Sequence, residues 1–180
     1  MRLHVDFAAE RNYAGIFGRL RSERLAAGLS QSTVASWFSI RARAVSEWET
    51  GAVQPTLDHL ILLSGELGWR LVIVDRRGVS RGPQQRPGES WVVFERRRLA
   101  TPLKSRRLAW GLTQGELGQR VGVSRETIQR WEVARTSPRP MGLIVWAQKT
   151  NYCLGLRPMG AAERRVVPVR LSGSLRVPKT

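Results

Sequence analysis

The stretch LTQGELGQRVGVSRETIQRWE, residues 112–132, has a counterpart 83 positions earlier, LSQSTVASWFSIRARAVSEWE, residues 29–49. At the same offset, residues 20–55 align with residues 103–138 over 36 positions without a gap. Leucine, glycine, tryptophan and proline recur at matching places along this alignment. The sequence therefore contains a duplicated unit, whose first copy is residues 20–55 and whose second copy is residues 103–138.

The second copy opens with signals for two short helices. Thr101-Pro102 predicts the start of a helix that Gly111 ends, because threonine caps a helix and proline fits its first position. Thr113 and Glu116 have the spacing of a capping box, in which each side chain binds the backbone N–H of the other residue. A second helix is therefore expected to begin directly after Thr113.

A turn and two further helices are predicted next. Gly122 permits a tight turn, and Ser124 is suited to cap a third helix that runs to about Ala134. Two prolines then separate this helix from a fourth one at residues 141–149. A helix, a short turn containing glycine and another helix together form the helix-turn-helix motif.

Both copies resemble the helix-turn-helix domains of the Cro and phage-repressor family, also called the xenobiotic-response-element (XRE) family. The family pattern runs from leucine, serine or threonine, and glutamine through a turn glycine and a capping serine to a tryptophan-glutamate pair. The second copy matches nearly throughout, with Gly118 where alanine is usual and Ala134 where glycine is usual. In the first copy, Ser39 replaces the turn glycine and Arg41 replaces the capping serine.

A strand pattern follows each copy. Residues 69–74 and 152–156 occupy equivalent positions, and residues 91–94 (WVVF) and 166–171 (VVPVRL) are expected to be their hairpin partners. The single cysteine of the chain, Cys153, lies in the second of these strands and is expected to be a small buried apolar residue.

The predicted fold class is mainly α with small β additions. It consists of two tandem lambda-repressor-like helix-turn-helix domains of four or five helices, each followed by a β-strand or hairpin. Domain one is placed at residues 1–75 and domain two at residues 91–172. Residues 76–90, rich in Arg, Gly and Pro, are expected to form a flexible basic connector, and residues 173–180 a frayed tail.

The charge of the chain points to a polyphosphate partner. Thirty basic residues against 14 acidic ones give a net charge of +16. Residues 20–74 hold five of each kind, whereas residues 103–157 hold ten basic and three acidic residues. Because phosphate neutralisation supplies most non-specific DNA affinity, domain two is expected to be the stronger DNA anchor. Domain one is then a weaker reader or a surface for a protein partner or self-association.

The resemblance implies which residues of domain two contact DNA. The third helix would lie in the major groove, with its N-terminal side chains at the base edges. Arg125 can hold guanine O6 and N7 together, and Glu126 can accept from cytosine N4. Gln114 matches the glutamine that binds phosphate and braces the reading helix. The candidate DNA-binding residues of domain two are Gln114, Ser124, Arg125, Glu126, Thr127, Gln129 and Arg130.

The matching face of domain one has a different chemistry. Its alanines can touch thymine methyl groups and Arg43 can hold one guanine, but Glu47 would repel phosphate. The candidate residues at these positions are Gln31, Arg41, Ala42, Arg43, Ala44, Ser46 and Glu47. The two faces are therefore expected to favour different bases.

Two further pairs of residues are expected to be structural. The resemblance implies that an ion pair ties the first helix of each domain to the third. The pairs would be Arg24 with Glu49 and Arg107 with Glu132. The tryptophan that precedes each of these glutamates is expected to pack in the core rather than to stack on a base.

No enzymatic activity is expected from the sequence. Residues 78–82, GVSRG, satisfy the G-x-S-x-G pattern of a nucleophilic serine, but His4 and His59 both precede Ser80, whereas the mechanism needs a later histidine. No metal site, cofactor or small-molecule ligand is implied. The sequence also has no membrane-length apolar run and no signal layout at its start, so a cytoplasmic protein is expected.

These features predict a sequence-specific regulator of transcription that binds double-stranded operator DNA. Repression, and an origin in a phage or mobile element, follow from the resemblance. The two copies would read a bipartite site as two unequal heads. One alternative is an antitoxin-like interaction protein, in which domain one binds a protein and domain two binds DNA. Another is a nucleoid-type protein whose charge binds nucleic acid without sequence preference.

Overall fold

The computed structural model describes residues 2–164. The expected strand at residues 166–171 and the expected tail at residues 173–180 lie outside the described residues. Within residues 2–164, no helix has the length and apolar character needed to cross a membrane.

Domain one contains four helices and a strand. Asp6, Ser30 and Thr56 cap three of the helices, since each side-chain oxygen accepts a backbone N–H three residues later. The elements are α1 (Phe7–Ala26), α2 (Gln31–Trp37), α3 (Ala42–Thr50), α4 (Leu57–Glu66) and β1 (Trp69–Asp75). A tight turn after β1 leads into a two-residue strand, β2 (Gly78–Val79), which pairs with β1.

Domain two repeats this order. Its elements are α5 (Trp91–Ala109), α6 (Gln114–Val121), α7 (Arg125–Glu132), α8 (Pro140–Lys149), β3 (Cys153–Pro158) and α9 (Ala161–Arg164). The three strands form one antiparallel sheet in the order β2-β1-β3. A mainly helical chain with a small sheet confirms the predicted fold class.

The predicted start of the first helix of domain two is wrong by eleven residues, since the helix begins at Trp91 and not at Pro102. Residues 91–94 are helical rather than a strand, because Ser90 caps the helix and the aromatic rings of Trp91 and Phe94 are buried at helical spacing. Pro102 lies inside α5 and cannot donate to the preceding turn. Burial of the two aromatic side chains offsets that lost hydrogen bond and overrides the strand propensity of WVVF.

The sheet joins the two domains about a local two-fold relation. Strand β1 pairs with β3 in antiparallel register, with Val72 opposite Gly155. These two residues are separated by the repeat offset of 83, so each lies at the same place in its own copy. The expected hairpin partner of β1, residues 91–94, is helical, so that expectation is wrong, and β1 pairs with β2 and β3 instead. The expected partner of β3, residues 166–171, lies outside the described residues.

The packing of the helices shows the same local two-fold relation. Helix α1 packs against α8 and β3, and correspondingly α5 packs against α4 and β1. One hydrophobic core runs through both domains, from Leu20 and Leu60 in domain one to Leu103 and Trp146 in domain two. The described chain therefore has the arrangement of a symmetric dimer contained in one polypeptide.

The prediction that Cys153 is buried is wrong. It is exposed at the start of β3, whereas the next residue, Leu154, is 1% exposed. Because side chains alternate between the faces of a strand, the inward position of Leu154 turns the thiol of Cys153 outward.

Candidate nucleic-acid interface

The start of α7 is fixed by its turn. Gly122 ends α6 in the left-handed region at φ 89°, and Ser124 accepts the backbone N–H of Thr127 at 3.1 Å. The capping box predicted between Thr113 and Glu116 is formed at the start of α6. These local contacts set the two helices of the motif against each other.

One face of α7 is buried and the other is open. Ile128 and Trp131 pack into the core, as predicted for the tryptophan, while the candidate reading residues face outward. Arg125, Glu126, Gln129 and Arg130 are exposed, and Thr127 and Ser124 are half-buried. Within the described residues, Arg125 and Arg130 form no ion pair, so both guanidinium groups are available to a phosphate or a guanine edge.

Glu126 is held in the charged form. Its own backbone N–H and the Ser124 hydroxyl donate to the carboxylate, and together they lower the pKa of the Glu126 carboxyl. The group is therefore an acceptor at neutral pH, as contact with a cytosine amino group requires.

The corresponding face of domain one is nearly neutral. Arg43 Nε lies 2.7 Å from Glu47 Oε1, one helical turn away, so the charge of Arg43 is paired and the exposed Arg41 leaves the face with a single net positive charge. Arg41 precedes α3 without forming a side-chain cap. Ala42, Ala44 and Ser46 are half-buried and line the rest of the face.

The turn of domain one has a strained backbone. Ser39 has φ 53°, at the position where domain two has Gly122. The reverse substitution occurs after the third helix, where Ala134 has φ 53° and its equivalent, Gly51, has φ 76°. A side chain in the left-handed region costs roughly 1 kcal/mol or more, so Ser39 is a strained position of domain one and Ala134 is a strained position of domain two.

A buried cluster holds each of the helices α3 and α7 in place. In domain two, Arg107 Nε lies 2.5 Å from Glu132 Oε1, and Arg107 Nη2 donates to Glu132 Oε2 at 3.0 Å. Arg107 Nη1 also donates to the carbonyl oxygen of Leu112, and Gln114 Nε2 donates to Glu132 Oε2 at 2.9 Å. Gln114 therefore braces α7 through Glu132.

Domain one repeats the cluster. Arg24 Nε lies 2.5 Å from Glu49 Oε1, and Gln31 Nε2 donates to Glu49 Oε2 at 2.9 Å. Burial alone would raise the pKa of the Glu49 carboxyl, but the bonds from Arg24 and Gln31 outweigh burial and lower it. Both clusters thus have the same geometry, although the outer faces of α3 and α7 differ.

The N-terminal segment lies against the turn of domain two, which the sequence did not predict. The His4 backbone N–H donates to the Val121 carbonyl at 2.9 Å, and His4 Nδ1 lies 3.1 Å from the Arg120 carbonyl oxygen. A Cβ atom on Gly122 would collide with the Arg2 carbonyl group. No sequence signal marks this contact, because it joins residues more than 100 positions apart.

The residues that could act chemically are few. Within residues 2–164, no three His, Cys, Asp or Glu residues are grouped so that they could hold a metal ion. Ser80, the serine of the G-x-S-x-G pattern, lies in the segment after β2. His4 contacts the Arg120 carbonyl oxygen, and the ring of His59 packs beside the ring of Trp48.

Comparison with known proteins gives two matches to one family model. The helix-turn-helix model matches residues 20–71 and residues 103–152, which together cover more than half of the chain. The matched ranges contain α3 and α7 with their bracing clusters. No curated protein and no solved structure matches the chain.

Proposed function

The chain belongs to the helix-turn-helix family and is a DNA-binding regulator of the XRE kind, and from that premise we propose that it is a repressor that reads a bipartite, asymmetric operator. The family is one of DNA-binding domains, not of enzymes. An origin in a phage or mobile element rests on the resemblance alone. Each chain would occupy the two half-sites by itself.

The observation that carries this proposal is the β1–β3 pairing. Two-fold dimers of this motif place their reading helices about one DNA turn apart, roughly 34 Å, on one side of the duplex. Here the pairing of Val72 with Gly155 relates the two motifs within a single chain. The relative position of α3 and α7 is thus set by a shared core rather than by a flexible connector.

Asymmetry of the operator follows from the exposed side chains. Arg125 and Arg130 on α7 favour guanine or phosphate, whereas α3 offers alanines and one arginine that is already paired with Glu47. The half-site under α7 would supply most of the affinity, and the half-site under α3 would add a weaker preference. Occupation of both half-sites would block a promoter sterically, which favours repression over activation.

Selection of bound sequences from a random DNA pool tests the proposal, followed by light scattering of the complex. We expect two unlike half-sites about one helical turn apart and a complex mass of one chain per duplex. A palindromic motif occupied by two chains would contradict the proposal. Loss of all preference in competition with unrelated DNA would instead favour the nucleoid-type alternative.

The neutral face of α3 favours one second candidate. In an antitoxin-like protein, domain two would bind DNA and the paired Arg43 and Glu47 of domain one would face a protein. Arg43→Ala distinguishes the two: it should alter the selected half-site of a two-headed reader and leave the motif of an antitoxin-like protein unchanged.

A further inference from the structure

A basic groove lies beside the motif of domain two. It encloses about 1060 Å³ between the turn after β1 and the C-terminal ends of α5 and α8. The residues that give it its chemistry are Arg76, Arg77, Arg106, Trp110, Lys149 and Tyr152. Four of the six are cationic, and Asp6 and Asp75 are the acidic residues that also line the groove. The groove therefore has a net positive charge, which suits a phosphate backbone.

The turn after β1 is held against domain two by Asp75. One carboxylate oxygen of Asp75 lies 2.9 Å from Arg106 Nη2, and the other accepts the Arg77 backbone N–H at 2.8 Å. The Arg106 guanidinium in turn lies 4.3 Å from the centre of the Tyr152 ring. Arg106 is thus committed to structure, and its role is to fix the turn that carries the two other arginines.

Arg76 and Arg77 are the free cations of the groove. Both are exposed, and within the described residues neither side chain forms an ion pair or a hydrogen bond. The Ala9 backbone N–H lowers the pKa of the Asp6 carboxyl against the opposing effect of burial, and the Gln148 side chain and the nearby charge of Lys149 lower it further. The cations of the groove that are both exposed and unpaired therefore lie on the turn, whereas Lys149 is half-buried.

The groove adjoins the part of the motif that faces the DNA backbone. Trp110 follows the last residue of α5, and three residues later Thr113 caps α6, with Leu112 fixed by its bond from Arg107. In a helix-turn-helix the first helix of the motif, here α6, crosses the DNA backbone. A duplex that lies on α6 and α7 would continue past the end of α5 towards the turn.

Domain one lacks the charges of this groove. The repeat offset relates Arg106 and Lys149 to Glu23 and Glu66, and it relates Arg76 and Arg77 to Met159 and Gly160. The counterparts of Arg106 and Lys149 are thus anionic, and the counterparts of Arg76 and Arg77 are uncharged. The groove is a feature of the domain-two side, where the outward face of the reading helix is also the more basic.

We propose that Arg76 and Arg77 bind phosphates of the operator beyond the bases that α7 reads, so that the turn after β1 extends the interface outward from domain two. The inference rests on the proposed function, since it requires an operator. It adds sequence-independent contacts to the half-site of domain two from the turn between β1 and β2, which begins the connector. Each contact should release about one condensed counterion.

The test compares R76A/R77A with wild-type protein on two duplexes. One duplex ends at the selected motif, and the other continues for five base pairs past the domain-two half-site. We expect wild-type protein to bind the longer duplex more tightly and R76A/R77A to bind both alike. On the longer duplex, the log–log slope of affinity against salt should flatten by about 2, so the advantage of wild type falls about tenfold between roughly 50 and 200 mM salt.

The matched control is R81A/R86A, which removes the same charge from the connector. Gly82 lies against Arg98, and Trp110, which caps the C-terminal end of α5, is 12 residues after Arg98, about 18 Å away along the helix axis. The control should retain the gain from the longer duplex. Equal losses in both double variants, or no loss in R76A/R77A, would overturn the inference. Failure of the proposed function would look different, since then neither wild type nor variant would select a motif.

Discussion

Arg125 is the residue on which base recognition by domain two is expected to depend most. It lies directly after the Ser124 cap, at the end of α7 that would enter the major groove first, and its side chain is exposed and unpaired among the described residues. The cap and the braced far end of α7 hold its backbone. Because α7 is already ordered in the free protein, contact between the Arg125 side chain and a base would not cost the conformational entropy of forming the helix.

Replacing Arg125 with alanine should weaken operator binding by about 1 to 3 kcal/mol and relax the preference at one base position. Sequence selection with the variant measures both effects. Arg81→Ala, an exposed arginine outside both motifs, is the charge-matched control and should weaken all sequences equally or not at all. An unchanged motif for Arg125→Ala would show that α7 is not the reading helix.

Glu132 acts on stability rather than on bases. Its side chain is fully buried, and its carboxylate neutralises Arg107, whose side chain is 7% exposed. Glu132→Ala leaves that guanidinium buried without a counter-charge, which costs about 3 to 5 kcal/mol. Thermal unfolding should show a large fall in Tm, whereas the exposed Glu126→Ala should leave Tm nearly unchanged. Equal melting temperatures for wild type and Glu132→Ala would contradict a stabilising pair.

At the scale of elements, the two turns make a matched experiment. Ser39 has a left-handed backbone without the freedom of glycine, so Ser39→Gly should stabilise the protein by roughly 1 kcal/mol. Gly122→Ser places a Cβ atom against the Arg2 carbonyl and should destabilise it by more than that. Denaturant unfolding measures both. A loss of stability in Ser39→Gly would mean that the Ser39 side chain contributes more than its strain costs.

Elements within each copy were predictable from sequence because their signals are local. The caps at Thr113 and Ser124, the turn at Gly122 and the periodic apolar residues of α6 and α7 all lie within one or two helical turns of their partners. WVVF was misassigned because the burial that makes it helical comes from a distant element, α4, and from the sheet. The strand propensity of a short segment does not indicate which distant elements will bury its side chains.

The candidate interface likewise has features that could be predicted from the sequence and features that could not. The resemblance supplied the candidate reading positions, which stay a prediction, and both bracing ion pairs, which the structure contains. It could not supply the pairing of Arg43 with Glu47 as a neutral face, the N-terminal contact at Gly122 or the groove beside α5. The last two join segments from different domains, so only the folded chain brings them together.

At the scale of the whole molecule, the shared sheet makes the two domains depend on each other. Val72 is 2% exposed at the centre of the β1–β3 pairing. Its substitution by aspartate would bury a charge where both domains meet, at a cost of several kcal/mol. Because one core spans both domains, the loss should appear in a single transition rather than in domain one alone.

Val79→Asp is the matched control, since the same change at the 49% exposed position in β2 removes no core contact. Calorimetry of Val72→Asp should give one transition at lower temperature, with equal calorimetric and van't Hoff enthalpies, and Val79→Asp should resemble wild type. Operator binding should fall at both half-sites together as Val72→Asp unfolds. Two resolved transitions, with the half-site of α7 still protected after the first, would mean that the domains fold independently and that the connector rather than the sheet sets their spacing.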